Sequence, residues 1–226
     1  MSINIFIPKG HLMKIYAILV HPERHSLNGK LFDTAVETFK DKGFQIKTLD
    51  LYRSDFNPMA IYQQVMSDDQ TTNYAHKWFT AEARNLLPEF SQREIENLKN
   101  SDLLYLQTPI WWWGLPSLMK AYIENVFIYN VLFSLENEHS REPGASMVYK
   151  LLRGKKMILS VTTGSSEQFI CEHFGNVDSL LAPIRARFEF VGYDVLPTYF
   201  SGALSGNTED VNLKDFKKYL NQLKLR

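Results

Sequence analysis

The sequence predicts an α/β fold, a doubly wound open sheet of five parallel strands with helices on both faces. Two observations predict it. Short apolar runs, typical of strands buried on both faces, alternate along the chain with segments in which apolar residues have helical spacing. The connections between successive strands are also long enough to hold the crossover helix that a parallel strand pair requires.

The first elements form a β-α-β unit. Residues 14–20 (KIYAILV) are a compact apolar run that predicts the first strand. Residues 31–39 have apolar side chains at helical spacing, and Gly43 follows as a C-terminal stop. Residues 44–49 predict the second strand. Because one helix joins them, we expect the two strands to be parallel.

Three more strands complete the predicted sheet, and four more helices accompany them. The strands are predicted over 103–106, 156–161 and 194–200. The helices are predicted over 91–100, 116–129, 178–190 and 213–225. Pro116 lies near the first position of its helix, where proline is favoured.

The length of 226 residues suits one domain with a buried core. We interpret residues 14–226 as that domain and 1–13 as an N-terminal extension, because the first clear core strand begins after Met13. Two segments, at about 57–88 and 129–152, are longer than a minimal connection. We interpret them as insertions that cover the core or serve function.

Charge and cysteine content argue against several classes of protein. Lys+Arg and Asp+Glu both total 25, so no net field attracts nucleic acid or an anionic membrane. The sequence contains no apolar run as long as a membrane span and no recognisable secretory signal. The single cysteine, Cys171, cannot form an internal disulfide. We therefore expect a cytoplasmic protein with no nucleic-acid partner and no integral membrane segment.

Ligands of open parallel sheets bind at the carboxyl ends of the strands, which directs attention to three loops. The loop after the first strand is HPERHSLNG (21–29), in which Ser26 and Asn28 precede a helix. Backbone N–H groups at a helix start attract anions such as phosphate. Arg24, His21 and His25 can add positive charge. The alternative is an ordinary helix cap and turn.

The loop after the third strand, TPIWWWGLP (108–116), contains three consecutive tryptophans. Adjacent side chains point in different directions, so all three cannot face the core. We expect at least one to pack against a planar ligand or a partner chain. The alternative is that the tryptophans pack under the segment 57–88.

The loop after the fourth strand, TTGSSE (162–167), is small and polar, and Gly164 permits close approach of a ligand to the backbone. The alternative is a simple strand-to-helix connection. Together, a phosphate loop, an aromatic loop and a small polar loop describe a site for a phosphate-bearing planar heterocycle, which a flavin fits. The chain has neither G-x-G-x-x-G nor G-x-x-x-x-G-K-[ST], the two common nucleotide-binding signatures.

Four stretches resemble the NAD(P)H:quinone oxidoreductase family of flavodoxin-like flavoproteins. They are HPERHSLN (21–28), DLYRSDFNP (50–58), TPIWWWGLPSLMKAYIENVF (108–127) and GKKMILSVTTGSS (154–166). The resemblance covers about residues 14–200. It implies a flavodoxin-like domain, a homodimer with flavin at the interface, and two-electron, ping-pong reduction of quinones by NAD(P)H. The DLYRSDFNP stretch favours FAD, with FMN as the alternative.

Carried over by position, the resemblance implies cofactor contacts in all three loops. The residues are His21, Ser26, Leu27 and Asn28 on the phosphate side, Pro109, Ile110, Trp111, Trp112 and Trp113 beside the ring, and Thr162, Thr163, Gly164 and Ser165 at its polar edge. NAD(P)H would stack near Trp112, and backbone N–H groups from Thr163 to Ser165 would stabilise negative charge on the reduced ring. The catalytic roles are assigned to Trp112, Thr163 and Gly164, with no assured side-chain acid or base.

The sequence departs from the animal enzymes of this family after Gly164. They have a second glycine, a tyrosine and a histidine there. Ser165 and Ile170 stand in the first two positions, and His173 is out of register, so their proposed Tyr–His charge-relay pair does not carry over. Two alternative functions stay open: a flavin-binding redox sensor that regulates a channel or transporter, and an azo or nitro reductase. No metal site is predicted, because the histidines lack ligand spacing.

Overall fold

The computed structural model describes residues 3–5, 12–66, 77, 85–129, 131–135, 148–202 and 209–225. The strands are β1 (Ile3–Ile5), β2 (Lys14–Leu19), β3 (Gln45–Asp50), β4 (Leu103–Pro109), β5 (Phe133–Leu135), β6 (Val148–Lys150), β7 (Lys156–Thr162), β8 (Asp194–Val195), β9 (Tyr199–Ser201) and β10 (Leu223–Leu225). The α-helices are α1 (Leu27–Asp41), α2 (Ala60–Met66), α3 (Glu89–Asn100), α4 (Ser117–Val126), α5 (Glu167–Phe174), α6 (Val177–Val191) and α7 (Glu209–Gln222). A 3₁₀ turn spans Leu51–Arg53.

The main sheet is parallel and confirms the predicted fold class. Its order is β3-β2-β4-β7, and both β8 and β9 pair with β7 at the fifth position. The central strands β2, β4 and β7 are buried along nearly their whole length, which is why they are continuous apolar runs in the sequence. The single fifth strand predicted over 194–200 is instead divided, and Pro197, which has no N–H to donate to a ladder, lies in the gap.

Helices cover both faces of this sheet, as a doubly wound fold requires. On one face, strand residues such as Ile18 and Leu106 pack against helices α3, α4 and α6. On the other face, Ala17 and Tyr105 pack against α1 and α7. Successive strand residues point to opposite faces, so the two cores are interleaved along each strand. This arrangement leaves the two ends of the sheet as the places where polar loops gather.

The predicted end of the last helix is wrong in detail. The last helix ends at Gln222, because Leu223–Leu225 form the strand β10 instead of continuing the helix to residue 225. That strand pairs in parallel with β1 (Ile3↔Leu223), which lies inside the predicted N-terminal extension. Strand pairing between the two chain ends is a contact that no local pattern reveals.

The two long segments are only partly described. Within 129–152, the strands β5 and β6 form an antiparallel pair, with Phe133 opposite Lys150. Within 57–88, the helix α2 is described, while residues 67–76 and 78–84 lie outside the described residues. In the part of the chain that the structure describes, no helix is both long enough and apolar enough to cross a membrane.

Candidate functional site

The fold brings the three predicted loops together at the carboxyl edge of the sheet. Backbone bonds join their starting points: Val20 N donates to Gln107 O (2.9 Å), and Ile110 N donates to Thr162 O (2.7 Å). The chain leaves β2 for α1 on one face and β4 for α4 on the other. A crevice therefore opens between β2 and β4, which is the switch point where such sheets bind ligands.

The first loop presents a helix start to this crevice. Ser26 is the N-cap of α1, and its hydroxyl accepts from Gly29 N. The first-turn N–H groups of Leu27 and Asn28 have no intrahelical acceptor, so they are available to an anion. His21 Nδ1 lies 3.0 Å from Glu23 N and 3.0 Å from the Ser26 hydroxyl, so the ring is held beside the start of α1. The His21 ring meets Trp111 edge-on, with centroids 5.9 Å apart.

Arg24 does not add free positive charge to this loop, contrary to the prediction. Its guanidinium donates to both carboxylate oxygens of Asp33 and to Gly29 O (3.1 Å), and its Nε lies 3.9 Å from Asp50. The hydrogen bonds that Arg24 donates to the Asp33 carboxylate raise the pKa of the guanidinium. The side chain therefore ties the loop to α1 and is neutralised there. Composition cannot distinguish such an internal cation from a phosphate-binding one.

The DLYRSDFNP stretch (50–58) holds this same loop through hydrogen bonds made by Arg53. Arg53 Nη2 donates to Pro22 O at 2.8 Å, and its Nη1 reaches Asp50 Oδ2 at 3.2 Å. Asp50 ends β3, and Arg53 closes the 3₁₀ turn that follows. These contacts of Arg53 were missed in the sequence, because Asp50 and Arg53 are ordinary charged residues and the sequence does not show their partners.

The tryptophan loop is a tight turn with a strained backbone. Trp111 and Gly114 exchange two backbone hydrogen bonds, each 3.0 Å long. Between them, Trp112 and Trp113 have φ of 49° and 62°, as in a type I′ turn. Bulky residues seldom adopt this region, and each costs about 1–3 kcal/mol there. Such strain is typical of functional sites.

The three tryptophan side chains have different surroundings. Trp112 is 97% exposed, whereas Trp111 and Trp113 are each 39% exposed. Trp113 stacks on Phe169 (centroids 5.6 Å apart) and contacts Phe174 (4.9 Å), both on α5. These contacts explain Trp113 as a packing residue and leave Trp112 as a planar side chain offered to a ligand or a partner.

Helix α5 was not predicted, and it contains the positions at which the animal enzymes have their Tyr–His pair. Ser166 caps its start, and Gly175, with φ of 84°, ends it. Ile170, in the tyrosine position, is fully buried, and His173 is exposed and stacked on Phe169 with centroids 3.9 Å apart. The sequence signal that could have located this helix is the Ser166 cap followed by Glu167.

The third loop is open at its glycine. A Cβ atom added at Gly164 would meet no described atom within 4 Å. Ser165 N donates to the Thr163 hydroxyl at 3.3 Å, which folds the loop back on itself. Nothing inside the described protein therefore requires glycine at position 164, and a ligand can approach the backbone there.

Two predicted cofactor residues, Asn28 and Thr162, meet each other inside the site. Asn28 Nδ2 donates to Thr162 Oγ1 at 2.8 Å, and Asn28 Oδ1 accepts from Gln107 Nε2 at 2.9 Å. All three side chains are buried. Gln107 was missed, although a polar residue within a strand buried on both faces is the signal that could have found it. The cofactor contacts assigned to Asn28 and Thr162 stay predictions.

The described residues contain no group of three or more His, Cys, Asp or Glu side chains that could hold a metal ion. The site offers three kinds of ligand contact. They are helix-start N–H groups at Leu27 and Asn28, an exposed indole at Trp112, and an open backbone at Gly164. In combination they can bind an anionic group, stack on a planar ring and hydrogen-bond its polar edge.

Comparisons with known proteins agree with this geometry. A family model described as a flavodoxin-like fold matches residues 13–224. The chain is 26% identical over 221 residues to NAD(P)H dehydrogenase (quinone) 1 of Cavia porcellus, an alignment that covers 94% of this chain and 78% of that protein. Among solved structures, a candidate quinone reductase from Klebsiella pneumoniae superposes with a TM-score of 0.80 at 22% identity, covering 92% of this chain and 84% of the other.

A second solved structure is an FMN-dependent NADH-azoreductase from Bacillus anthracis str. Ames Ancestor in complex with FMN. It superposes with a TM-score of 0.63 at 17% identity, covering 93% of this chain and 97% of the other. At these identities, both solved structures bear on the fold alone. The family match and the superpositions confirm the predicted flavodoxin-like fold.

Proposed function

The chain belongs to the flavodoxin-like family, and on that premise we propose that it is a flavin-dependent oxidoreductase that reduces quinones with NAD(P)H. The observation that carries the proposal is the strained and exposed Trp112 at the switch point, between a helix start and an open glycine. The guinea-pig relative, an NAD(P)H dehydrogenase of quinones, supports the same activity.

The residues present fit a flavin. The N–H groups at the start of α1 can bind its phosphate, Trp112 can stack against its ring, and the backbone around Gly164 can contact its polar edge. A bound flavin supplies the redox chemistry, taking a hydride from NAD(P)H and passing two electrons to the acceptor. The protein would bind and orient the reactants. Thr163 N already donates to Ser201 O at 2.9 Å, contrary to its predicted role, so the Gly164 N–H is the backbone group that would stabilise negative charge on the reduced ring.

We propose FAD as the flavin, on the resemblance of DLYRSDFNP, with FMN as the alternative. The FMN-bound azoreductase of similar fold supports that alternative. Purified protein should be yellow, and mass spectrometry of the released flavin identifies it. A folded, colourless protein that takes up neither FAD nor FMN on reconstitution would refute the proposed function.

Turnover tests the activity directly. We expect NADH or NADPH to reduce a simple benzoquinone, with Trp112→Ala lowering kcat/KM at least about tenfold through lost stacking. Phe190→Ala is the matched control, because Phe190 is also exposed but lies near the end of α6, at the opposite edge of the sheet. Equal losses in both variants would argue against a role for Trp112.

Two other activities of the same site have distinct outcomes in this assay. Flavin-loaded protein with negligible turnover would favour a redox sensor that regulates a channel or transporter. Faster reduction of an azo dye or nitroaromatic than of any quinone would favour an azo or nitro reductase, which the azoreductase of similar fold supports.

We also propose that the protein is a cytoplasmic homodimer. The indole of Trp112, 97% exposed in the single chain, is a surface that a second copy can cover. Analytical ultracentrifugation of the wild type checks this, and a monomer at micromolar concentration would contradict it.

A further inference from the structure

We propose that Tyr105 and Gln107 are positioning residues that turn the Thr162 hydroxyl into a hydrogen-bond donor toward the flavin. The inference rests on the proposed function, because it states in which direction the Thr162 hydroxyl of the same site hydrogen-bonds the flavin. It is carried by a continuous chain of buried hydrogen bonds that begins in the core and ends at the third loop.

The chain of hydrogen bonds begins at a hydroxyl inside the core. Tyr105 OH donates to Gln107 Oε1 at 2.7 Å, and both residues are fully buried on β4. Burial raises the pKa of Tyr105 well above its ordinary value, so the phenol keeps its hydrogen. With Oε1 accepting from Tyr105, the amide group of Gln107 must point the other way, and Nε2 donates to Asn28 Oδ1.

The hydrogen-bond directions at Asn28 and Thr162 follow in the same way. Because Asn28 Oδ1 is the acceptor for Gln107, its Nδ2 is the donor to Thr162 Oγ1. A threonine hydroxyl has one hydrogen, and Oγ1 is already accepting, so that hydrogen is left to donate elsewhere. Thr162 ends β7 beside Thr163, where the proposed polar edge of the ring would lie. Carbonyl oxygens and unprotonated ring nitrogens at that edge are acceptors.

Packing of the core does not by itself explain why residue 107 is a glutamine. Its neighbours on the same face of the sheet form an apolar cluster with Phe32 and Phe39, in which an aliphatic side chain would pack without needing polar partners. The glutamine instead connects β4 to α1 and, through Asn28, to β7. Each bond polarises the next, so the terminal hydroxyl is a stronger donor than an isolated threonine.

The test measures flavin affinity by fluorescence titration with FAD and FMN, alongside thermal stability without flavin. We expect Thr162→Val and Gln107→Met each to weaken binding about tenfold, and Tyr105→Phe about threefold, because a buried partner is lost. Thr162→Ser keeps the hydroxyl and should bind as the wild type does. In the Thr162→Val background, Gln107→Met should add nothing, because its effect passes through the missing hydroxyl.

Tyr122→Phe is the matched control. Its hydroxyl is also buried and hydrogen-bonded, to Glu94 Oε2 at 3.0 Å, but lies on the opposite face of the sheet. It should lower stability without changing flavin affinity. If Gln107→Met does not fold, the flavin affinity of Tyr105→Phe alone tests the positioning role. That substitution removes a single oxygen and is the milder change to the core.

The outcomes separate the two proposals. A wild type that binds neither flavin refutes the proposed function. A wild type that binds flavin, while Tyr105→Phe and Gln107→Met bind it equally well, overturns the positioning role. Additive effects of Gln107→Met and Thr162→Val overturn it as well, since independent sites do not act through each other.

Discussion

Replacing Trp112 and Trp113 separately by glycine tests whether the strained turn exists for binding. Both residues have positive φ, so glycine relieves the same backbone strain at both positions. They differ in packing, since Trp112 is almost fully exposed and Trp113 stacks on α5. The two variants therefore relieve the same backbone strain, but they differ in how much buried indole surface is lost.

The stability changes follow from these two contributions. Leaving the left-handed region recovers about 1–2 kcal/mol, and the added freedom of glycine removes about 0.5–1 kcal/mol of that gain. Trp112→Gly should thus range from neutral to about 1.5 kcal/mol stabilising. Trp113, 39% exposed, buries roughly 150 Å² of side chain, worth up to ~4 kcal/mol. Trp113→Gly should therefore destabilise by about 2.5–4 kcal/mol after the backbone gain.

Thermal unfolding without flavin measures this difference. In a protein of this size, 1 kcal/mol corresponds to about 2–4 °C in Tm. Trp112→Gly should leave Tm unchanged or raise it by up to ~6 °C, and Trp113→Gly should lower it by about 5–16 °C. Flavin affinity should fall in both variants. A Tm loss of many degrees in Trp112→Gly, or its unchanged flavin affinity, would refute the view that Trp112 is held for a ligand.

Three further predictions concern glycine positions and alkaline pH. Gly29→Ala should destabilise by about 1–3 kcal/mol or more in urea unfolding, because its Cβ would lie 1.8 Å from Arg24 O; a wild-type midpoint would contradict this. Gly164→Ala should leave stability within about 0.5 kcal/mol yet weaken flavin binding about tenfold, and unchanged affinity would count against a ligand there. Burial raises the pKa of Tyr199 to about 12, so an unfolded tyrosine ionises first, at about pH 10, and the free energy of unfolding should fall as pH rises from about 10 to 12. Tyr199→Phe should make that fall shallower, and an identical slope would disprove the contribution of Tyr199.

The sequence by itself determined the sheet and the location of the site. Strands buried on both faces are apolar runs, and helices show their own period, so β2, α1, β4 and β7 could be recognised locally. Their order placed three unusual loops at one edge of the sheet. Local patterns were weaker where burial was slight, and α5, with Ile170 as its only buried residue, was missed for that reason.

Only the tertiary structure decided which side chains bind one another. The ion pair of Arg24 with Asp33, the pairing of β1 with β10, and the bond between Asn28 and Thr162 join residues whose contact depends on the complete fold. Hydrophobic periodicity reports whether a residue faces the core, but not which partner it meets there. Charges and amides therefore receive their roles from the packed molecule, while strands and helices can be recognised from the order of the residues.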